Sequence, residues 1–264
     1  MELIKELRNK TGAGIVDCKK ALEEAGGDLE KAVEILRKKG IAKAAKRSDR
    51  EAKEGVIKIA VNEAGDEGYI AEVNAETDFV ARNEQFQGFA EKVLDIIRSK
   101  KPAGREELMN LEMDNGTVKD NLENLSGTIG EKLDIKRFDI VSGGTVAAYS
   151  HMGGKIGVLA ALDKPDKSEL AREIAMQIAA ADPKYIYPED VPAEEIGKEK
   201  EIYRAQLIKE GKPEQIIDKI LQGKINKYFE EVCLVKQEYI KDDKKHVQDM
   251  LGNVKVERFV RYSL

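Results

Sequence analysis

Tryptophan is absent from this chain, and histidine and cysteine occur only twice each. Such scarcity removes much of the chemistry on which enzymes rest. His151 and His246 are too few to build a metal centre or a nucleophile–base–carboxylate triad. Cys18 and Cys233 lie far apart with no CxxC spacing, and they read as buried, reduced thiols behaving as small apolar side chains. No P-loop is present, and no GxGxxG follows a strand pattern. No catalytic residue, metal site or cofactor is therefore expected. No apolar run approaches transmembrane length, and the opening MELIKELRNK lacks the apolar segment of a secretory signal. The expectation is a soluble cytoplasmic protein with no membrane partner.

What the chain has in abundance is charge, 36% of its residues, with a net charge of −5. Binding to nucleic acid rests on clustered positive charge, so this balance argues against a direct nucleic-acid partner. With 264 residues, two or three packing units are expected.

The hydrophobic pattern changes period along the chain. Residues 1 to about 40 read as three short helices. Leu3, Ile4 and Leu7 face one side of the first, TGAG at 11–14 breaks it, and Ile15 to Ala25 forms the second. Gly26 and Gly27 end that helix, and Asp28 caps a third carrying Leu29, Ala32, Val33, Ile35 and Leu36. A unit this small suits docking better than chemistry. The stretch 40–55 reads as a solvated, partly helical linker. Its basic residues Lys43, Lys46, Arg47 and Arg50 are interleaved with acids and lack aromatic neighbours.

From Gly55 the period becomes two. Val56, Ile57, Ile59 and Val61 form a strand, 64–68 a turn, and Tyr69, Ile70 and Val73 a second strand. A helix capped by Asn83 follows, with Phe86, Phe89, Ala90, Val93, Leu94 and Ile97 on one side. Val118, Leu122, Leu125, Ile129 and Leu133 mark another helix, and Ile135 to Val141 another strand. About 90 residues after the first hairpin the order recurs. Gly144, Val146, Ala148 and Tyr149 form a strand, HMGG (151–154) turns, and Ile156, Val158, Leu159 and Leu162 return before a helix with Leu170, Ile174, Ile178 and Ala181. A charge-dense helix ending at Gly211 and a second one through Phe229, joined by GKP, form an antiparallel hairpin. Its thin apolar stripe lets it stand proud of the body or pair with its copy, leaving open a homodimer through this hairpin or through the core. Val254 to Tyr262 closes the chain as a strand in the sheet of the second copy.

The fold class is α+β. Residues 1–50 form the three-helix unit with its linker, and 51–139 the first core copy. Residues 140–182 with 229–264 form the second copy, and 183–228 the protruding helical hairpin.

The sharpest constellation is Asp78 with Phe79, at a strand-to-helix turn. Two roles stay open for the pair. Asp78 caps the turn while Phe79 packs inward, or both reach into a partner's pocket. Ile15 and Val16, adjacent and apolar, cannot both face the core of one short helix, so at least one is exposed. His151, in a Gly-rich turn, is either a solvent-facing residue or a polar contact.

LRNKTGAGIVDCKKAL at 7–22 and EVNAETDFVARN at 72–83, with the IGV run at 156–158 and KPEQIIDKILQGKINKYF at 212–229, resemble the elongation factor Ts family. The resemblance implies a guanine-nucleotide exchange factor that binds elongation factor Tu, both GDP-bound and nucleotide-free. It also implies a ubiquitin-associated-like N-terminal domain, a duplicated α/β core and an inserted helical hairpin. By the same resemblance, Thr77, Asp78, Phe79 and Val80 match the segment that enters the partner's GTPase domain and dislodges Mg²⁺. Arg8, Ile15 and Val16 match positions where the N-terminal unit meets that domain, and His151 matches a core contact to the partner's third domain. Ile15 and Val16 stand where some members carry a Met pair, and longer members continue past the last strand, so contacts from such a C-terminal module are not expected. ALEEAGGDLEKAVEIL at 21–36 keeps a ubiquitin-type binding module on a scaffold as a rival reading.

Overall fold

Three helices open the chain: α1 (Glu2–Thr11), α2 (Ile15–Glu24) and α3 (Leu29–Ala45). The computed structural model describes residues 1–45, 47 and 49–264. Gly12 takes the left-handed conformation, φ 67°, and its N–H closes α1 on the Arg8 carbonyl. Asp28 starts α3, its Oδ1 accepting the N–H groups of Glu30 and Lys31 at 3.0 and 3.1 Å. Leu7, Cys18, Ala21, Leu22 and Ala32 meet in a small core of their own. The expected linker is helical as far as Ala45, and Gly40 within it lies against Gly127 of a later helix. Arg47 donates to the Ser126 carbonyl at 3.3 Å and Arg50 pairs with Glu76 at 3.2 Å, while Lys46 lies outside the described residues.

The first half of the core runs β1 (Glu54–Val61), β2 (Glu67–Ala75), α4 (Asp78–Ala81), α5 (Glu84–Lys100), α6 (Arg105–Asn110), the small ladder β3 (Glu112–Met113) and β4 (Gly116–Thr117), α7 (Val118–Ile129) and β5 (Leu133–Ser142). The second half runs β6 (Thr145–His151), β7 (Ile156–Leu162), α8 (Ser168–Ala181), α9 (Ala193–Lys209), α10 (Glu214–Val232), β8 (Glu238–Tyr239), β9 (Asp242–His246), α11 (Val247–Leu251) and β10 (Val256–Ser263). Leu133 is in a strand, not at the end of the preceding helix. Gly130 at φ 92° stops α7 on the Ser126 carbonyl, although the apolar spacing carries on past it.

Two antiparallel three-stranded sheets result, ordered β1-β2-β5 and β10-β7-β6. In each, a hairpin's second strand is central, a helix follows it, and a later strand completes the sheet. The duplication read from the sequence is thus a duplication of topology. The two sheets face each other through Ile57, Ile70, Val141, Val146, Leu159, Val260 and Tyr262. Their outer faces carry helices: Phe86, Phe89, Val93 and Ile97 of α5 cover Tyr69, Ala71 and Val73 of β2, and Ile174 and Ile178 of α8 cover Val158, Ala160 and Leu162 of β7. Period-two alternation in β2 serves both faces at once. Glycine sets the spacing, since a Cβ on Gly68 would lie 2.8 Å from Val146 Cγ1 and one on Gly157 would overlap Ile57.

The α9–α10 hairpin buries Leu207, Ile217 and Leu221 along its seam. Its first helix begins at Ala193, after a three-ten turn over Pro188–Asp190. Glu195 fastens the base, accepting from the hydroxyls of Tyr185 and Tyr228.

Candidate functional site

Beyond Ala75 the chain leaves β2 and makes a single helical turn, α4, before α5 begins. Thr77 is extended, φ −127°, and caps that turn: its Oγ1 accepts the Val80 N–H at 3.4 Å. The same hydroxyl donates to Glu131 Oε1 at 2.7 Å, and the Thr77 N–H donates to Glu131 Oε2 at 3.0 Å. One carboxylate therefore grips Thr77 at two points. Glu76 is held beside it, accepting the Lys132 N–H at 2.6 Å and Arg50 Nη1 at 3.2 Å. Those bonds, the backbone one foremost, keep the Glu76 carboxyl below its ordinary pKa despite some desolvation. Asn83 then caps α5, as read from the sequence, accepting the N–H groups of Gln85 and Phe86.

Clamping the backbone decides where the side chains go. Val80 packs against the core and Ala81 is buried, and successive residues of a helical turn point about 100° apart. Phe79 is thereby turned outward and is 82% exposed. Asp78 is half-exposed and pairs with Arg82 at 2.8 Å within its own turn. The inward-packing role weighed for Phe79 belongs to Val80 and Ala81, and the capping role weighed for Asp78 belongs to Thr77.

On the N-terminal helices, Cys18, Ala21 and Leu22 take the inner face of α2, which leaves the start of that helix outside. Ile15 is 58% and Val16 65% exposed, so both are free of the core rather than one alone. Arg8 is exposed on α1. A Cβ added to Gly12, between them, would lie 2.9 Å from the side chain of Gln85 at the start of α5.

His151 is the last residue of β6 and is exposed, its Nδ1 3.2 Å from the Tyr149 hydroxyl and its ring stacked on that tyrosine. Next to it stands Met152, 65% exposed with a left-handed backbone at φ 52°. Sequence reasoning missed Met152. The signal was there, an apolar residue before a Gly-Gly pair in a hairpin turn. The Gly154 carbonyl accepts the Ile57 N–H at 2.8 Å, and Lys155 approaches Glu54 at 3.7 Å. Glu54 pairs with Ala75, two residues before Thr77. The 151–152 tip and the 77–80 turn therefore share one end of the sandwich.

Such an arrangement offers an apolar ring, a carboxylate and further apolar tips on a braced frame. Among the described residues, no three or more His, Cys, Asp or Glu side chains are grouped to hold a metal. Among the described residues, no helix is long and apolar enough to cross a membrane. The frame's exposed apolar tips are placed where another surface can meet them.

Comparison with known proteins gives a consistent result. The profile of the family described as elongation factor TS matches residues 76–264. A protein of Prosthecochloris aestuarii named elongation factor Ts is 47% identical, over 99% of this chain and 96% of its own length. The protein of that name from Nitratiruptor sp. is 48% identical over 99% and 91%, and the one from Clostridium perfringens 46% identical over 98% and 90%.

Proposed function

The chain belongs to the elongation factor Ts family of translation elongation factors, and from that premise we propose that it is a guanine-nucleotide exchange factor for elongation factor Tu. It binds the GDP-bound partner, presses the Asp78–Phe79 turn into the GTPase domain, dislodges Mg²⁺ and releases GDP, leaving a nucleotide-free complex that GTP resolves. The observation that carries this reading is the outward Phe79, 82% exposed on a turn braced by Glu131.

Mg²⁺ ties nucleotide phosphates to a GTPase, so its loss removes much of the nucleotide's hold. Speeding release about 10⁴-fold means lowering the barrier by about 5.5 kcal/mol. Burying one Phe supplies about 1.5–3 kcal/mol. Other contacts must hold the partner while the ring enters. Arg8, Ile15 and Val16 are assigned one grip and His151 the other, with Thr77 and Val80 fixing the turn between them. Asp78 keeps the intrusion in register. No covalent step is involved, in keeping with the thin inventory of histidine and cysteine.

The test is stopped-flow release of fluorescent GDP from elongation factor Tu, with and without this protein. The expected result is a saturable acceleration. A release rate unchanged at protein concentrations that form the complex overturns the reading.

A further inference from the structure

The N-terminal helices do not trail from the core. They are seated on α7 at a joint made of glycine. α3 crosses α7 where Gly40 faces Gly127, and a Cβ on Gly127 would lie 2.5 Å from the Gly40 Cα and 2.9 Å from its carbonyl oxygen. No side chain fits there, so backbone meets backbone. Polar ties flank the crossing. Arg37 reaches Asp120 at 2.9 Å, and Asp120 is itself fixed by the capping box of α7 with Thr117.

From this joint a run of hydrogen bonds leads to the 77–80 turn. Arg47 donates to the carbonyl of Ser126, whose hydroxyl donates to the Glu131 carbonyl at 2.6 Å. Glu131 is the residue that grips Thr77. Lys132 donates its Nζ to the Arg50 carbonyl at 2.8 Å and its N–H to Glu76, which also receives Arg50. Beside the crossing, Val33 and Leu36 stand apart from Asn121 and Asn124 across a cleft of about 580 Å³. The seat is therefore held by close backbone and a few charged ties, and a side chain added at Gly127 has to force the two helices apart.

We propose that this joint holds the docking face of Arg8, Ile15 and Val16 in register with the Asp78–Phe79 turn, with Gly127 and Arg50 as positioning residues. Through it, binding by the N-terminal helices is turned into pressure at the turn. The inference rests on the exchange reading above. A stiff joint prevents the GDP-bound partner from satisfying both contacts without yielding at its cation site. A slack joint lets it satisfy both unchanged. Loosening the joint must then lower the maximal release rate without weakening binding of the GDP-bound partner.

The experiment compares the full chain with Gly127→Val and Arg50→Ala, in stopped-flow release of fluorescent GDP from elongation factor Tu. Gly127→Val is expected to lower the rate at saturation about tenfold without raising the half-saturating concentration by more than about twofold. Arg50→Ala, which leaves the crossing intact, is expected to lower it about threefold with the same pattern. Thermal melting checks that both variants fold. Spin labels on Lys31→Cys and Glu91→Cys read the joint without the partner, the native cysteines being buried. Their separation is expected to be narrowly distributed in the parent and broad in Gly127→Val. A parent distribution already broad, or a Gly127→Val variant that keeps its maximal rate, overturns the proposal. A fall seen only in affinity does the same. Should Gly127→Val fail to fold, Arg50→Ala decides by the same split. A parent chain that leaves GDP release unchanged removes the exchange reading instead, while the label distances still report on the joint.

Discussion

Phe79 owes its position to its neighbours: Thr77 is pinned by Glu131, Val80 and Ala81 are turned inward, and the ring has nowhere else to point. Because the ring makes so little contact with its own chain, removing it leaves the fold nearly untouched. Phe79→Ala should change stability by no more than about 0.5 kcal/mol, and losing the exposed Asp78–Arg82 pair adds about 0–1 kcal/mol. Asp78→Ala with Phe79→Ala is therefore expected to keep the native circular dichroism spectrum while losing most of the stimulation of GDP release. Stimulation surviving at full strength in that double variant sinks the wedge. Ile15 and Val16 invite the opposite measurement, affinity rather than rate. Both are outside the core, so Ile15→Ser with Val16→Ser should melt within a few degrees of the parent and bind elongation factor Tu about 10–100-fold more weakly. Unchanged affinity in titration calorimetry removes their docking role.

At the scale of the element, β2 carries the most consequential departure from its pattern. Glu72 falls on the face between the sheets and is fully buried, yet it accepts Lys136 Nζ at 2.8 Å, Arg137 Nε at 2.6 Å and Asn74 Nδ2 at 3.2 Å. Arg137 in turn lies over the ring of Tyr262, joining β5 to β10. Burial pushes the Glu72 carboxyl up, but the bonds from Lys136, Arg137 and Asn74 outweigh it and hold the pKa below its ordinary value. A depressed carboxylate contributes stability that is present above the unfolded-state pKa, near 4.5, and is lost as pH falls through the lower folded value. Glu72→Gln is thus expected to cost about 1–3 kcal/mol at neutral pH in urea unfolding, with the gap to the parent closing as the solution is made acid. A gap independent of pH denies the ion network its role. Gly157→Ala should cost a similar amount, about 1–3 kcal/mol by overpacking against Ile57, at any pH. These elements also mark the limit of what could be read from residues alone. Tyr69, Ile70 and Val73 announced a strand, and Phe86 to Ile97 a helix, since alternation and helical spacing are local signals. Glu72 drew no attention as a core residue because a charge in a strand reads as solvent-facing, and its cations arrive only when β5 pairs alongside. Gly40 read as linker because its partner, Gly127, lies far along the chain. Leu133 kept helical spacing past a glycine that had already turned the backbone. At the site, the Asp78–Phe79 turn and the exposed Ile15–Val16 step were legible. Met152 and the grip of Glu131 on Thr77 needed the fold.

For the whole molecule, the 77–80 turn and the 151–152 tip share one end of the sandwich, and the N-terminal helices are seated beside the same turn. Several contacts can then act together on one partner. Their combined effect is a coupling free energy, and coupling is reciprocal. On the exchange function proposed above, whatever factor the protein takes from the affinity of GDP for elongation factor Tu, GDP must take from the affinity of this protein for the same partner. Calorimetric titrations into nucleotide-free and GDP-bound elongation factor Tu measure one side of that cycle, and nucleotide affinities with and without this protein measure the other. The means of coupling can be separated from its size. If the turn works by unseating Mg²⁺, chelating the cation beforehand does part of its task. Intrinsic GDP release then quickens, and the further acceleration from this protein shrinks, by about tenfold or more if displacement of the cation supplies at least about 1.4 kcal/mol of the effect. Stopped-flow release with excess Mg²⁺ and with excess chelator provides the comparison. An acceleration equal under the two conditions means that Phe79 pushes on something other than the cation's seat.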